Sequence, residues 1–286
     1  MKIAGAPMSW GVCEVPGWGY QLDRTRVLAE MRDLGLTATE LGPPGFLPPS
    51  PARRTALLGE YGLRGVAGLV PLVLHDPDLD PMPEIRASLR GFQDGDVEVA
   101  VFAAVTGGEG YDIRPELDGT GWKTLTANLD QIVATAKEFD REVALYPHFG
   151  TMIQTRDEVK RVLDESRVQL CLDTGHLLVG GTDPVSVVGA APERVGHVHL
   201  KDVDGDLADE VAAGNLTYTE AVRAGLFRPL GEGEVDVGAI VTGLTLGGYD
   251  GWYVLEQDTI LTEPPPPGEG PKQAVHTSLE HLASLT

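Results

Sequence analysis

Short apolar runs alternate with longer amphipathic stretches along the whole chain. The runs at 2–8, 38–41, 65–74, 97–103, 142–146, 168–172, 195–200 and 252–255 are rich in Val, Leu, Ile and Ala and read as strands buried on both faces. Between them, apolar residues recur at helical spacing over 23–34, 51–61, 81–92, 120–139, 156–165, 184–190 and 235–244, and a closing stretch covers 272–285. Eight strands, each followed by a helix, predict a single (β/α)8 barrel over residues 1–286 with no internal boundary. The competing architecture is a doubly wound open sheet, but no G-x-G-x-x-G follows the first strand. The TGGEG stretch at 106–110 lacks the Lys-Ser/Thr ending of a phosphate-binding loop and reads as a flexible connection. Two segments break the rhythm. Residues 202–228 are long for one connection and predict a lid or short helix over the top face, and PPPPGEGP at 264–271 predicts a stiff crossover to the last helix.

Chemistry enters where the apolar runs end. In a parallel barrel the carboxyl ends of the strands carry the functional groups. LCLDTGH (170–176) and HVHLKD (197–202) both pass from apolar residues to Asp and His, and GWYVLEQD (251–258) passes to Glu256. Asp173, His199 and Glu256 therefore stand at three strand tips as candidate metal ligands. For Asp173 the competing role is a helix N-cap, with Gly175 making the turn. His197 and His199 are two apart and share one face of their strand, so His199 reads as the ligand and His197 as a supporting or substrate group. His148, in YPHFGT (146–151), is either a further ligand or a loop histidine held by its turn. Lys201 and His176 stand beside them as candidate catalytic residues, and Lys201 also as a substrate contact. Trp10, Glu40 and His75 each follow a strand and are candidate substrate contacts, whereas Glu14 and Trp18 carry no assigned role.

Composition narrows the class. Acidic residues outnumber basic ones by 43 to 22, and a net charge of −21 opposes binding to nucleic acid or anionic lipid, although a local basic pocket could still take a phosphorylated substrate. No run approaches the roughly 20 apolar residues of a membrane span, and the N-terminus reads as a strand rather than a secretory signal. Cys13 and Cys171 form no disulfide or zinc-finger framework, so a cytoplasmic enzyme acting on a small molecule is expected. A homo-oligomer is compatible with that reading.

Taken together, APMSWGVCEVPGWG (6–19), TELGPPGFLP (39–48), PHFGTMIQT (147–155), LCLDTGHLL (170–178), HVHLKD and GEGEVD (231–236) resemble the xylose-isomerase-like barrels, and within them the myo-inosose dehydratase branch. The resemblance spans nearly the whole chain. It implies one divalent ion held by Asp173, His199 and Glu256 from the sixth to eighth strands. At the fifth strand, where sugar epimerases carry a metal-binding glutamate, this chain has Tyr146, Pro147 and His148, so either His148 replaces the carboxylate or water completes the shell. The mixed ligand set favours Mn²⁺ or Co²⁺, with Zn²⁺, Fe²⁺ or Mg²⁺ as alternatives. Two-sided epimerisation loses one of its bases through this change, whereas elimination needs only one base and one acid: Glu256 or His176 as proton acceptor, His148 or His197 as donor. The resemblance thus implies a metal-dependent dehydratase of a keto-cyclitol or keto-sugar, with a sugar or sugar-phosphate isomerase or epimerase as the alternative. Phosphodiester cleavage would call for more histidines and a basic groove than this chain offers. A catalytically inactive binding barrel is disfavoured by ligand-type residues at three separate strand tips.

Overall fold

In the computed structural model, which describes residues 1–285, eight parallel strands close into a barrel. They are β1 (Lys2–Gly5), β2 (Ala38–Glu40), β3 (Arg64–Leu72), β4 (Val99–Ala104), β5 (Glu142–Leu145), β6 (Gln169–Asp173), β7 (Val195–Leu200) and β8 (Trp252–Leu255). Each pairs with its sequence neighbours, and β1 closes the ring on β8 with Lys2 opposite Trp252 and Gly5 opposite Leu255. The expected barrel forms, and the helices fall where apolar spacing put them. Several strand ends differ by a residue or two, β3 stopping at Leu72 and β4 starting at Val99, and the first strand differs most. The run at 2–8 ends early because Pro7, which has no N–H for the ladder, starts a 3-10 turn at Pro7–Trp10.

The barrel interior is filled by small residues, Ala4, Ala6, Ala38, Val66 and Val254 on one side and Ala67, Val99, Val101, Ala103, Ala144 and Cys171 on the other. Small side chains leave room at the top for larger polar ones. Register then sets which polar groups meet: Asp173 lies opposite His199 on β7, and His199 lies opposite Val254 on β8, one inward position below Glu256. A register shift at Thr39/Glu40 re-aims the end of β2.

Residues 202–228 form a two-stranded ribbon, Asp202–Val203 against Phe227–Arg228, enclosing helices Gly205–Ala212 and Tyr218–Ala224. Asp202 anchors it. Its carboxylate accepts N–H groups from Val203, Gly231, Gly233 and Val235 at 2.8–3.0 Å, which explains the GEGEVD turn. The proline tract lies against the first helix, where Arg26 donates to the carbonyls of Pro265 and Pro266, and it delivers the chain to the closing helix Pro271–Ser284. Among the described residues no helix is long and apolar enough to cross a membrane.

Candidate metal centre and active site

Asp173 is a helix cap and a cluster residue at once. Its Oδ1 accepts the Gly175 and His176 N–H groups at 3.0 and 2.9 Å, capping the short helix Thr174–Val179, while Oδ2 faces the barrel axis. Gly175 is required by space. A Cβ there would lie 2.7 Å from the Lys201 Cβ and 2.8 Å from the Phe227 ring, so only glycine lets the lysine stem pass.

That stem carries the Lys201 ammonium into the middle of a charged cluster. Nζ lies 2.8 Å from Asp173 Oδ2, 2.8 Å from Glu256 Oε2, 3.2 Å from Asp258 Oδ1 and 3.1 Å from the Tyr146 hydroxyl. The Tyr146 hydroxyl also donates to Asp173 Oδ2 at 2.8 Å. His199 faces the same carboxylates through Nδ1, 2.6 Å from Glu256 Oε2 and 3.3 Å from Asp173 Oδ2. Its Nε2 lies 2.9 Å from Glu40 Oε1, which His197 Nε2 also approaches at 2.8 Å.

Burial opposes the charged forms of these groups, yet the neighbours overcome it. Lys201 is raised well above the ordinary lysine value by Asp173, Asp258 and Glu256. Asp173 and Asp258 are held well below the usual carboxylate range chiefly by Lys201, and Glu40 by His199 and His197. His199 is pushed up against its burial by Cys171, Glu256 and Glu40. His148 goes the other way: burial, then the adjacent His176, lower it well below the usual value.

Asp173, His199 and Glu256 offer ligand atoms within 4.8 Å of one another, as do Glu40, His197 and His199, and also His148, His176 and Asp258. The first set suits a divalent cation on two grounds. His199 Nδ1 is buried without a hydrogen-bond partner although carboxylate oxygens crowd it. Four buried or nearly buried carboxylates, Glu40, Asp173, Glu256 and Asp258, outnumber the cationic groups beside them, an excess that a divalent ion offsets.

Above the cluster, a small cavity of about 50 Å³ opens to solvent between Met8, Glu14, Pro43, Tyr111, His148 and Glu256, with Glu40, Tyr146 and Asp258 also in its wall. The Tyr111 hydroxyl donates to Glu14 across the mouth, and the Tyr111 ring packs 4.6 Å from that of His148. Glu14, unassigned from the sequence, is thus part of the rim. Trp18 instead donates to the Thr259 carbonyl at 3.1 Å and is buried below it.

Several sequence expectations are re-placed. Trp10 does not wall the cavity: it is fully buried and its indole N–H donates to Glu30 at 2.8 Å, beneath the first helix. His75 is not in the cavity wall either: β3 ends at Leu72, and His75 lies half-buried in the loop that follows. His197 is fully buried on Glu40, too deep for a proton donor to substrate. His148 groups with His176 and Asp258 rather than with Asp173, His199 and Glu256. Its Nδ1 lies 2.6 Å from the Phe149 carbonyl.

Asp258 and Tyr218 were missed. Asp258 accepts the Tyr218 hydroxyl and lies 3.4 Å from His176 Nε2. The signal for Asp258 was present, because it stands two residues beyond Glu256 and shares its face. Tyr218, inside the long connection, has no such pattern.

A model of the xylose isomerase-like TIM barrel family matches residues 20–285. This chain belongs to that family. Among its relatives, the rhizopine catabolism protein MocC of Rhizobium meliloti is 33% identical over 90% of this chain and 82% of its own length. The inosose dehydratase of Geobacillus kaustophilus is 29% identical over 98% of this chain and 96% of its own. Among solved structures, the probable 3-DHS dehydratase AsbF of Bacillus anthracis superposes with a TM-score of 0.70 over 99% of both chains at 16% identity, a likeness of fold.

Proposed function

We propose that this xylose isomerase-like barrel is a divalent-metal-dependent hydro-lyase that removes water from a neutral keto-cyclitol such as 2-keto-myo-inositol. The observation that carries the reading is the one-sided cluster: Asp173, Glu256 and His199 face the barrel axis from β6, β8 and β7, while the end of β5 contributes the Tyr146 hydroxyl where sugar epimerases carry a metal-binding glutamate. The relatives named inosose dehydratase, matched over nearly the full chain, support it. The wall of the cavity supports a neutral substrate. It carries Glu14, Glu40, Glu256 and Asp258 and, among the described residues that line it, no Arg or Lys to receive a phosphate.

Asp173, His199 and Glu256 would hold the ion, with Mn²⁺ or Co²⁺ suited to the mixed oxygen and nitrogen set. When bound, such an ion polarises the substrate ketone and acidifies the adjacent C–H. Among the proton-transfer candidates, His148 is in the cavity wall whereas His176 is buried behind it, their rings 3.6 Å apart. With its Nδ1–H donated to Phe149, His148 presents a free Nε2 lone pair, and its lowered pKa keeps it neutral. Nε2 takes the α-proton, leaving an enolate. The imidazolium so formed returns that proton to the β-hydroxyl as its C–O bond breaks, giving a C=C bond and one water. The Tyr146 hydroxyl, in the cavity wall, accepts from the buried Lys201 ammonium and would carry the influence of that positive charge to the enolate.

The test is incubation of metal-stripped, then Mn²⁺- or Co²⁺-loaded protein with a keto-inositol. A product lighter by one water is expected, and His148→Asn should lower kcat about 10²–10⁴-fold with little change in KM. Interconversion of ketose stereoisomers, with no dehydrated product from any keto-cyclitol, overturns the reading.

A further inference from the structure

We infer that Glu40 is a positioning residue that sets which nitrogen of His199 meets the metal, and that His197 holds Glu40 in that role. The inference rests on the metal-centre reading above. It accounts for a residue of the TELG segment that a substrate contact leaves unexplained.

A single carboxylate oxygen, Glu40 Oε1, lies within hydrogen-bond distance of both His197 Nε2 and His199 Nε2, at 2.8 and 2.9 Å. A carboxylate oxygen only accepts, so each imidazole presents N–H at Nε2. His199 Nδ1 is thereby turned toward Asp173 and Glu256, whose oxygens also accept, so an ion bound on that side would replace the Nδ1 proton and leave the Nε2 proton that Glu40 holds. The Glu40 contact would fix the ring and make the nitrogen that meets an ion a better donor.

His197 completes the device. It is fully buried, its Nδ1 has no hydrogen-bond partner, and its one polar contact of this kind is Glu40. An imidazole so placed does no chemistry on substrate. By occupying one lobe of Glu40 Oε1 it stops the carboxylate from swinging up into the cavity. The register shift at Thr39/Glu40 brings Glu40 into reach by re-aiming the end of β2 across the barrel toward β7.

Metal affinity is the direct readout. Mn²⁺ and Zn²⁺ binding to the metal-stripped protein, measured by equilibrium dialysis, should weaken about 10–100-fold in Glu40→Gln, and the visible spectrum of the Co²⁺-loaded variant should shift. Glu40→Asp should recover part of the affinity. A wild-type protein that binds no divalent ion removes the metal-centre reading and this proposal together. A Glu40→Gln variant with wild-type affinity and Co²⁺ spectrum but a raised KM overturns this proposal alone and returns Glu40 to substrate binding. Where a Glu40 variant fails to fold, the tautomer is read in the wild-type chain by nitrogen NMR of ¹⁵N-histidine-labelled protein with and without Zn²⁺, using His199→Gln to assign the signal. Zn²⁺ at Nδ1 with Nε2 protonated supports the proposal, and Zn²⁺ at Nε2 refutes it.

Discussion

Lys201→Met is the most revealing perturbation of the apo protein. The side chain is fully buried, with its ammonium 2.8 Å from Asp173, 2.8 Å from Glu256 and 3.2 Å from Asp258. Methionine keeps most of the apolar stem that passes Gly175 and Phe227, so little cavity is created and the change reports on charge. Removing one partner of a buried ion pair leaves the other uncompensated, at about 3–5 kcal/mol. That is a large part of the roughly 5–15 kcal/mol by which a folded domain is stable. At about 2–4 °C per kcal/mol, the midpoint of the metal-stripped protein should fall by roughly 6–20 °C. Added Mn²⁺ should then narrow the gap, because the variant cluster has lost its internal cation and binds the ion more tightly, and occupancy at 100 times Kd contributes about 2.7 kcal/mol. Thermal melts followed by circular dichroism, in EDTA and in Mn²⁺, measure both effects. A stripped variant melting within about 2 °C of wild type, or a gap that widens in metal, refutes the electrostatic reasoning.

Gly175→Ala should destabilise by about 1–3 kcal/mol and impair metal binding, since its Cβ would meet the Lys201 stem at 2.7 Å; denaturant melts and dialysis check it. Asp202→Ala, which strips the partner from backbone N–H groups of Gly231, Gly233 and Val235, should cost about 3 kcal/mol or more and loosen the 231–235 turn in hydrogen exchange. Acid should destabilise the stripped protein in two stages. His148, lowered by burial and by His176, is neutral in the fold and begins to cost stability below its unfolded value near 6.5. Asp173, Asp258 and Glu40, lowered in the fold chiefly by Lys201 or by the histidines, contribute fully above their unfolded values near 4 and lose that contribution as pH falls through the folded ones. A thermal midpoint independent of pH between about 6.5 and 3 would contradict this.

The barrel was legible because its strands are buried on both faces and interrupted by clear helical periodicity. The three strand-tip residues Asp173, His199 and Glu256 were legible for a related reason: polar groups that end apolar parallel strands have one place to go, and register brings β6, β7 and β8 side by side. What escaped was direction. Trp10 follows β1 as an upper-rim residue would, but a 3-10 turn rolls it under the first helix onto Glu30. Glu40 stood at a strand tip like the others, yet nothing local records the register shift that sends it to two histidines about 160 residues away along the chain. His148 was weighed as a replacement for a missing carboxylate, and the turn held by Thr151 carries it beside His176 instead. Such pairings depend on which loops meet above the barrel, and sequence spacing does not encode that.

The position of Lys201 bears on how such a site folds before it is loaded. Several buried carboxylates with no cation among them would resist closure of the barrel top. Here the seventh strand supplies one, because Lys201 follows His199 by two residues and shares its inward face. Lys201 thus offsets part of the carboxylate charge from within the fold. A divalent ion held by Asp173, His199 and Glu256 would take over part of the charge that Lys201 balances, leaving its ammonium beneath Tyr146 and Asp258, which line the cavity. The same buried ammonium would then act on an enolate charge through the Tyr146 hydroxyl that accepts from it. A glutamate in place of Tyr146 would add a further carboxylate competing for the ammonium, whereas the hydroxyl accepts from Lys201, donates to Asp173 and adds no charge.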